Sequence, residues 1–250
     1  MKKFVHIVFG LILFSLATSL ESQAQISLRE IGVGTSYWLR LYNTPDETSV
    51  LTNGSLEIAD PAGVIVPSLF GVLNLNESFA LRGNVGLAQQ SYQSRLLLGD
   101  LIRVEELTQT IIPASINLEY RISLSANTNS NKEEKDNTEN PNEVEGSSLE
   151  LLFGLGVNRF FVQHDISRSV TGAEGTLPST RFSGNDFGLN IMVGLAYPMS
   201  KSVNLLLFSR YNSGSYDHRI YQDNSPGLYD LREISLRGLE LGVSFGFILP

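Results

Sequence analysis

The stretch LRGLELGVSFGFILP (residues 236–250) places Leu239, Leu241, Val243, Phe245 and Phe247 on alternate positions, with Glu240, Gly242, Ser244 and Gly246 between them. Successive side chains of an extended strand point to opposite faces, so this spacing predicts a strand with one broad apolar face and one small or polar face. Left unpaired, such a strand is a sticky sheet edge. The reading therefore requires partner strands and a surface for the apolar face to touch.

The same alternation recurs along the chain. In residues 29–42, Ile31, Val33, Tyr37, Leu39 and Leu41 oppose Gly32, Gly34, Ser36 and Arg40, with Trp38 on the second side. Residues 78–90 set Phe79, Leu81, Val85 and Leu87 against Ala80, Arg82, Asn84 and Gly86. Residues 110–122 set Ile112, Ile116, Leu118 and Tyr120 against Ser115, Asn117, Glu119 and Arg121. Residues 149–161 and 186–198 are cleaner, with Leu155 and Ile191 among the large residues and Gly154, Glu150 and Asn190 among the others. Residues 63–75 are more uniformly apolar and contain Pro67, and residues 202–212 are disturbed by Leu206 and Phe208. With the 236–250 stretch these make eight candidate strands, each near or above the roughly 9–11 residues a tilted membrane strand needs. A count of ten stays open.

Composition narrows the function classes. The 250 residues are 42% hydrophobic and 18% charged, with 22 Gly, 13 Phe and 9 Tyr, which suits an all-β chain. The absence of Cys excludes thiol catalysis, thiolate metal sites and disulfides. A net charge of −8 with no basic stripe argues against nucleic acid as a partner. Residues 1–24 combine Lys2 and Lys3, an apolar run over 4–17 and the small-x-small triplet Ser22-Gln23-Ala24, and read as a secretory signal peptide. The exported chain is then residues 25–250, a single domain, and no later apolar run is long enough for a spanning helix.

The connections alternate in length. Residues 74–78 and 197–202 read as tight turns, whereas 43–60, 93–108, 163–184 and 213–232 read as long polar loops. Such alternation is expected of a bacterial outer-membrane barrel. Residues 126–148 depart from it: they carry six acids against two lysines where a short turn belongs, and read as a disordered acidic link.

Alternation does not say which face is wet. The small side is dominated by Gly, Ala, Ser and Asn, joined by Arg82, Glu119, Arg121, Glu150, Arg210 and Glu240, which suits a narrow interior with paired charges. The large side holds Leu, Ile, Val and Phe, with Tyr37, Tyr120, Tyr197 and Tyr211 near strand ends where aromatic girdles belong. A membrane barrel is favoured over a soluble barrel of the lipocalin type. The final strand is then expected to pair with residues 29–42 and to face lipid, since only a closed sheet satisfies its backbone in hydrocarbon.

The signal peptide, the strands IPASINLEYRI (112–122) and GLGVNRFF (154–161) and the closing GLELGVSFGF (238–247) resemble the outer-membrane β-barrel domain family, the small porin-like barrels of OmpA/OmpX shape. The resemblance implies a transmembrane antiparallel up-and-down barrel in the cell outer membrane of a Gram-negative bacterium. It also implies outer-membrane lipid as a partner and recognition of the last strand by the barrel assembly machinery, with Phe245 and Phe247 as the aromatic signal; the chain is expected to be a monomer. The residues His164, Asp165 and Ser167, and Ser213, Ser215, Asp217 and His218, fall in predicted outer loops and offer the residue types of a lipid-modifying constellation. Without a nucleophile-elbow pattern they read as loop residues. Asp223 and Asp230 lack regular cation-ligand spacing. No catalytic, cofactor or metal site is assigned. The expected role is structural, adhesive or surface-binding, with a narrow channel as the alternative and a lipid-modifying enzyme as the remote one.

Overall fold

The computed structural model describes residues 27–40, 63–99, 101–124, 149–171, 177–221 and 229–249. The expected signal peptide and the acidic link at 126–148 lie outside the described residues. The strand segments are β1 (Ser27–Arg40), β2 (Val64–Asn74), β3 (Phe79–Gly86), β4 (Ala88–Leu98), β5 (Leu101–Leu124), β6 (Leu149–Thr171), β7 (Leu177–Ser200), β8 (Val203–Tyr221), β9 (Tyr229–Ser235) and β10 (Gly238–Ile248). They join antiparallel in the order β10–β1–β2–β3–β5–β6–β7–β8, and β8 pairs back onto β10. The last strand thus has the partners its pattern requires: Glu30–Arg40 on one side and Val203–Asn212 on the other.

The ring has eight strands. β3 and β4 are halves of one strand interrupted at Leu87, and β9 and β10 are halves of another interrupted at Leu236 and Arg237. The first interruption lies beside Pro67 and Pro113, which have no N–H to give to the ladder. There Leu87 N donates to the Pro67 carbonyl at 3.1 Å. At the second, Arg40 Nη2 reaches the Ser235 carbonyl at 2.9 Å.

Closure carries a stagger. Paired neighbours followed from Leu39 through Leu239, Tyr211, Ile191, Leu155, Leu118, Leu81 and Leu73 return to β1 at Leu28, well short of Leu39. This is the shear that tilted strands need to form a barrel. Every residue on that path faces outward from the ring.

Both tight turns form. Asn76 Oδ1 accepts from the N–H groups of Ser78 and Phe79, and Ser200 Oγ accepts from Ser202 N. Three of the expected long loops do not. Residues 93–108 form most of a β4–β5 hairpin, paired from Ala88 with Ile111 to Leu98 with Leu101 and turned at Gly99, whose φ of 65° is left-handed. Residues 163–171 and 177–184 extend β6 and β7, and 213–221 and 229–232 belong to β8 and β9. Their ladders satisfy the backbone although their outer faces are polar, which is why hydropathy alone reads them as loops. The expected loop at 43–60 lies outside the described residues. β7–β8 pairing ends at Gly188 with Gly214, so beyond the ring the wall divides into a β4–β5–β6–β7 flap and a β8–β9 flap.

The facing is that of a membrane barrel. Leu69 is 66% exposed, Leu155 61% and Leu241 48%, whereas the inward Trp38 is 1% exposed and Glu119 0%. Tyr120 and Tyr197 face outward at the turn end, and Phe161 and Phe187 bound the apolar belt at the other. Leu206 and Phe208, which disturb the β8 pattern, point inward. They fit because Gly194 and Gly242 lie against them: an added Cβ would meet the Leu206 methyl at 2.9 Å and collide with the Phe208 ring.

Candidate functional site

The lumen is the natural place for chemistry in a barrel, and its side chains fill it. At the turn end, alternating charges form a chain across the interior. Arg29 Nη2 donates to both oxygens of Glu150 at 3.0 and 3.2 Å, and Arg121 joins Glu150 to Glu119 at 3.3 and 2.7 Å. Arg82 completes the chain by a very short bond from Nε to Glu119 and lies 4.4 Å over the Phe70 ring. A buried ion needs a partner and further hydrogen bonds to offset its desolvation, and this chain supplies both.

A second group occupies the middle. Arg210 forms a two-pronged bond to Glu240, at 2.9 Å from Nε and 2.6 Å from Nη2. Ser36 Oγ and Asn212 Nδ2 complete the Glu240 carboxylate at 2.6 and 2.9 Å. Asn158 donates to Asn212 at 2.9 Å and accepts from Asn190 at 2.6 Å, linking β6, β7 and β8. Asn204 of β8 donates to the buried Glu30 of β1 at 3.2 Å, and Gly246 leaves room for that carboxylate, since a Cβ there would overlap it.

Above the charges the filling turns apolar. Trp38 stacks on Phe160 with ring centroids 6.0 Å apart, and Val66, Ile111, Val162, Ile166 and Ile234 join the same buried cluster. One polar knot is set within it. Tyr216 Oη and the His164 Nε2 lie 2.7 Å apart, Gln109 Nε2 is 2.8 Å from the same nitrogen, and Arg40 Nη1 donates to Gln109 Oε1 at 2.6 Å. Tyr216 belongs to one flap and His164 to the other, so the knot ties the flaps together over the lumen.

The residues weighed from sequence are placed apart. His164 is a buried, lumen-facing residue of β6 and not a loop residue. Its chain neighbour Asp165 points to the opposite face, where Arg181 Nε donates to it at 2.5 Å and Gln163 at 2.7 Å. Alternation thus separates the pair that adjacency suggests. Ser167 is exposed, and Ser213 and Ser215 lie on β8 with Asp217. The side chains of His218 and Asp230, and the whole of Asp223, lie outside the described residues. Among the described residues no three metal-ligating side chains gather. The small-side charges named from sequence do converge, as the plug; the His164–Gln109–Tyr216 knot was missed because it needs strands where loops were expected.

No protein-family model and no curated protein sequence matches the chain. Among solved structures, the outer membrane protein OprG from Pseudomonas aeruginosa is 12% identical, with 89% of this chain and 95% of that chain covered and a TM-score of 0.51. The outer membrane protein AlkL, solved in lipid bilayers, is 15% identical, covering 89% and 92% with a TM-score of 0.41. The attachment invasion locus protein Ail of Yersinia pestis is 9% identical, covering 89% and 100% with a TM-score of 0.39. The likeness to OprG is one of fold. Together with the closed ring, its apolar belt and its polar interior, it makes this chain a transmembrane β-barrel with the fold of an outer membrane protein.

Proposed function

We propose that the protein is a closed, non-conducting barrel whose flaps present a rigid polar surface outside the cell, a structural or surface-binding role without catalysis. The observation that carries this reading is the double plug: paired charges in the ring and the Trp38–Phe160 cluster beneath the flaps. Eight strands leave an interior that side chains fill. The reading without catalysis is supported by His164, whose Nε2 is engaged by Tyr216 and Gln109. Phe245 and Phe247, facing outward on β10, support recognition of that strand by the barrel assembly machinery. The ring leaves no free strand edge in the belt, which supports a monomer. The experiment is single-channel recording of the full chain in planar bilayers. Silence at protein levels where an open porin gives steps is the expected result; regular conductance steps that scale with inserted protein would replace this reading with the narrow channel.

A further inference from the structure

The outer wall of the ring carries a depression in its apolar belt. Gly71 and Gly83 pair directly across β2 and β3, and both occupy outward positions where neighbouring rows carry leucine or valine. A Cβ on Gly83 would meet no atom within 4 Å, and one on Gly71 only the Glu30 carbonyl at 3.9 Å. With Ala114 beside them they leave a largely apolar groove of about 790 Å³, walled by Leu69, Val85, Ile116 and Val157. Small residues on a lipid-facing wall do no packing within the barrel, so the groove is shaped for something outside it.

The groove ends at a cation. Arg159 sits at its outer end, its guanidinium 4.6 Å from the Phe187 ring and 5.5 Å from that of Phe161. Nη2 donates to Asn185 at 2.7 Å, Nε is buried without a hydrogen-bond partner, and no carboxylate pairs with the side chain among the described residues. The lumen arginines Arg29, Arg82, Arg121 and Arg210 each meet a carboxylate; Arg159, on the outer wall, meets only the Asn185 amide and two aromatic rings among the described residues. Directly beyond it lies a second recess of about 300 Å³ with a mixed lining, Ile112, Phe161 and Val162 beside the polar side chains of Thr110, Gln163, Ser183 and Asn185. An apolar groove, one cation without a carboxylate partner and a recess of mixed lining follow each other along the barrel axis.

We propose that this wall binds one phosphorylated glycolipid of the outer leaflet. An acyl chain lies over Gly71 and Gly83, a phosphate meets Arg159, and sugar hydroxyls enter the recess at Gln163, Ser183 and Asn185. Phosphate recognition by the planar guanidinium explains an arginine left unpaired at the belt's edge. The mixed recess favours a sugar headgroup over the glycerol of a phospholipid, because the Thr110 and Ser183 hydroxyls and the remaining amide positions of Gln163 and Asn185 offer polar partners beyond the phosphate, beside the apolar Ile112 and Phe161 on which a sugar ring can rest. The inference goes beyond the proposed function and does not depend on whether the lumen conducts.

The test uses the full chain, refolded in detergent, with diphosphorylated lipid A, phosphatidylglycerol and a neutral alkyl glycoside as probes, read by native mass spectrometry. Lipid A is expected to remain bound at the highest occupancy. Arg159→Gln should weaken it about tenfold, the loss of one charge-assisted contact, while Arg159→Lys should retain part of the binding. Gly83→Leu fills the groove from a position facing lipid and should weaken lipid A with the unheated gel mobility of the folded barrel unchanged. Equal binding of lipid A by the wild type, Arg159→Gln and Gly83→Leu overturns the site. Phosphatidylglycerol bound as tightly as lipid A overturns the glycolipid assignment.

Discussion

Strand β6 is two different strands laid end to end. Within the belt, Phe153, Leu155 and Val157 face outward and Asn158 faces the lumen; in the flap, Gln163, Asp165 and Ser167 face outward while Val162 and Ile166 are buried. β5 does the same, with Ile112 and Ile116 outward below and Leu107 and Ile111 inward above. In the closing strand, Ile234 and Leu236 point inward, and after the break Leu239 and Leu241 point outward. The backbone alternation continues unbroken on β5 and β6, but the hydropathy changes sides where the strand leaves the belt. The difference teaches that the solvent outside sets the facing. Lipid accepts the apolar side, so the ring interior is free to be polar. In water the apolar side must turn inward, and the flaps pack like a soluble sheet.

The sharpest way to break this comparison is to put the wrong chemistry into the ring interior. Glu240→Leu leaves Arg210 buried without its carboxylate, which is expected to cost about 3–5 kcal/mol in urea-induced unfolding from lipid vesicles. The double variant Arg210→Met with Glu240→Leu removes both charges and should recover most of that loss, because apolar replacement of a whole buried pair is often near neutral. A double variant as unstable as the single one would mean that the plug contributes through its Ser36 and Asn212 bonds and not through charge pairing.

A smaller effect compares the two halves of one strand directly. Leu155→Arg places a cation in hydrocarbon and should cost about 2–4 kcal/mol near the midplane. Ser167→Arg, outward on the same strand but above the belt, should change stability by no more than about 0.5 kcal/mol, as exposed substitutions do. Equal costs at the two positions would sink the claim that β6 passes from lipid into water.

The switch in facing also explains what could be read from sequence. The belt was legible because its pattern has one phase: Leu155, Leu241 and Glu119 were placed on their correct sides from alternation alone. The flaps were not, because the switch puts two apolar residues in succession, Ile111 with Ile112 and Phe161 with Val162, and beyond it the apolar residues fall on the side expected to be polar. Two signals for the longer strands were present. Such doublets mark the change of side, and Gly99-Asp100 between apolar runs is a two-residue hairpin signal. The lumen charges were recognised as interior and paired, but not which meets which, since Arg210 meets Glu240 and Arg29 meets Glu150 only once the ring is closed with its particular stagger. Gly83 was passed over because it interrupts the large side of its strand, where a glycine reads as an exception.

The smallest expected effect lies on the flap's watered face. Asp165 is exposed above the belt, and the hydrogen bond from Arg181 holds its carboxyl below the ordinary aspartate range, with the bond from Gln163 and the Arg181 charge acting in the same direction. A carboxyl whose folded pKa is depressed adds stability above its unfolded pKa, and that contribution disappears as the pH falls through the folded value. The pair therefore supports the β6–β7 flap at neutral pH and ceases to do so in acid. Because both side chains are open to water, salt should screen the effect, and global stability should hardly register it. The readout is local: a carbon-13 titration of the Asp165 carboxyl in micelles, with a midpoint below that of an unperturbed aspartate. Arg181→Gln should move the midpoint upward, and added salt should narrow the gap between the two proteins. An unchanged midpoint in Arg181→Gln would show that the flap's outer face holds no such pair in solution, and that the outward charges of β6 and β7 are simply solvated.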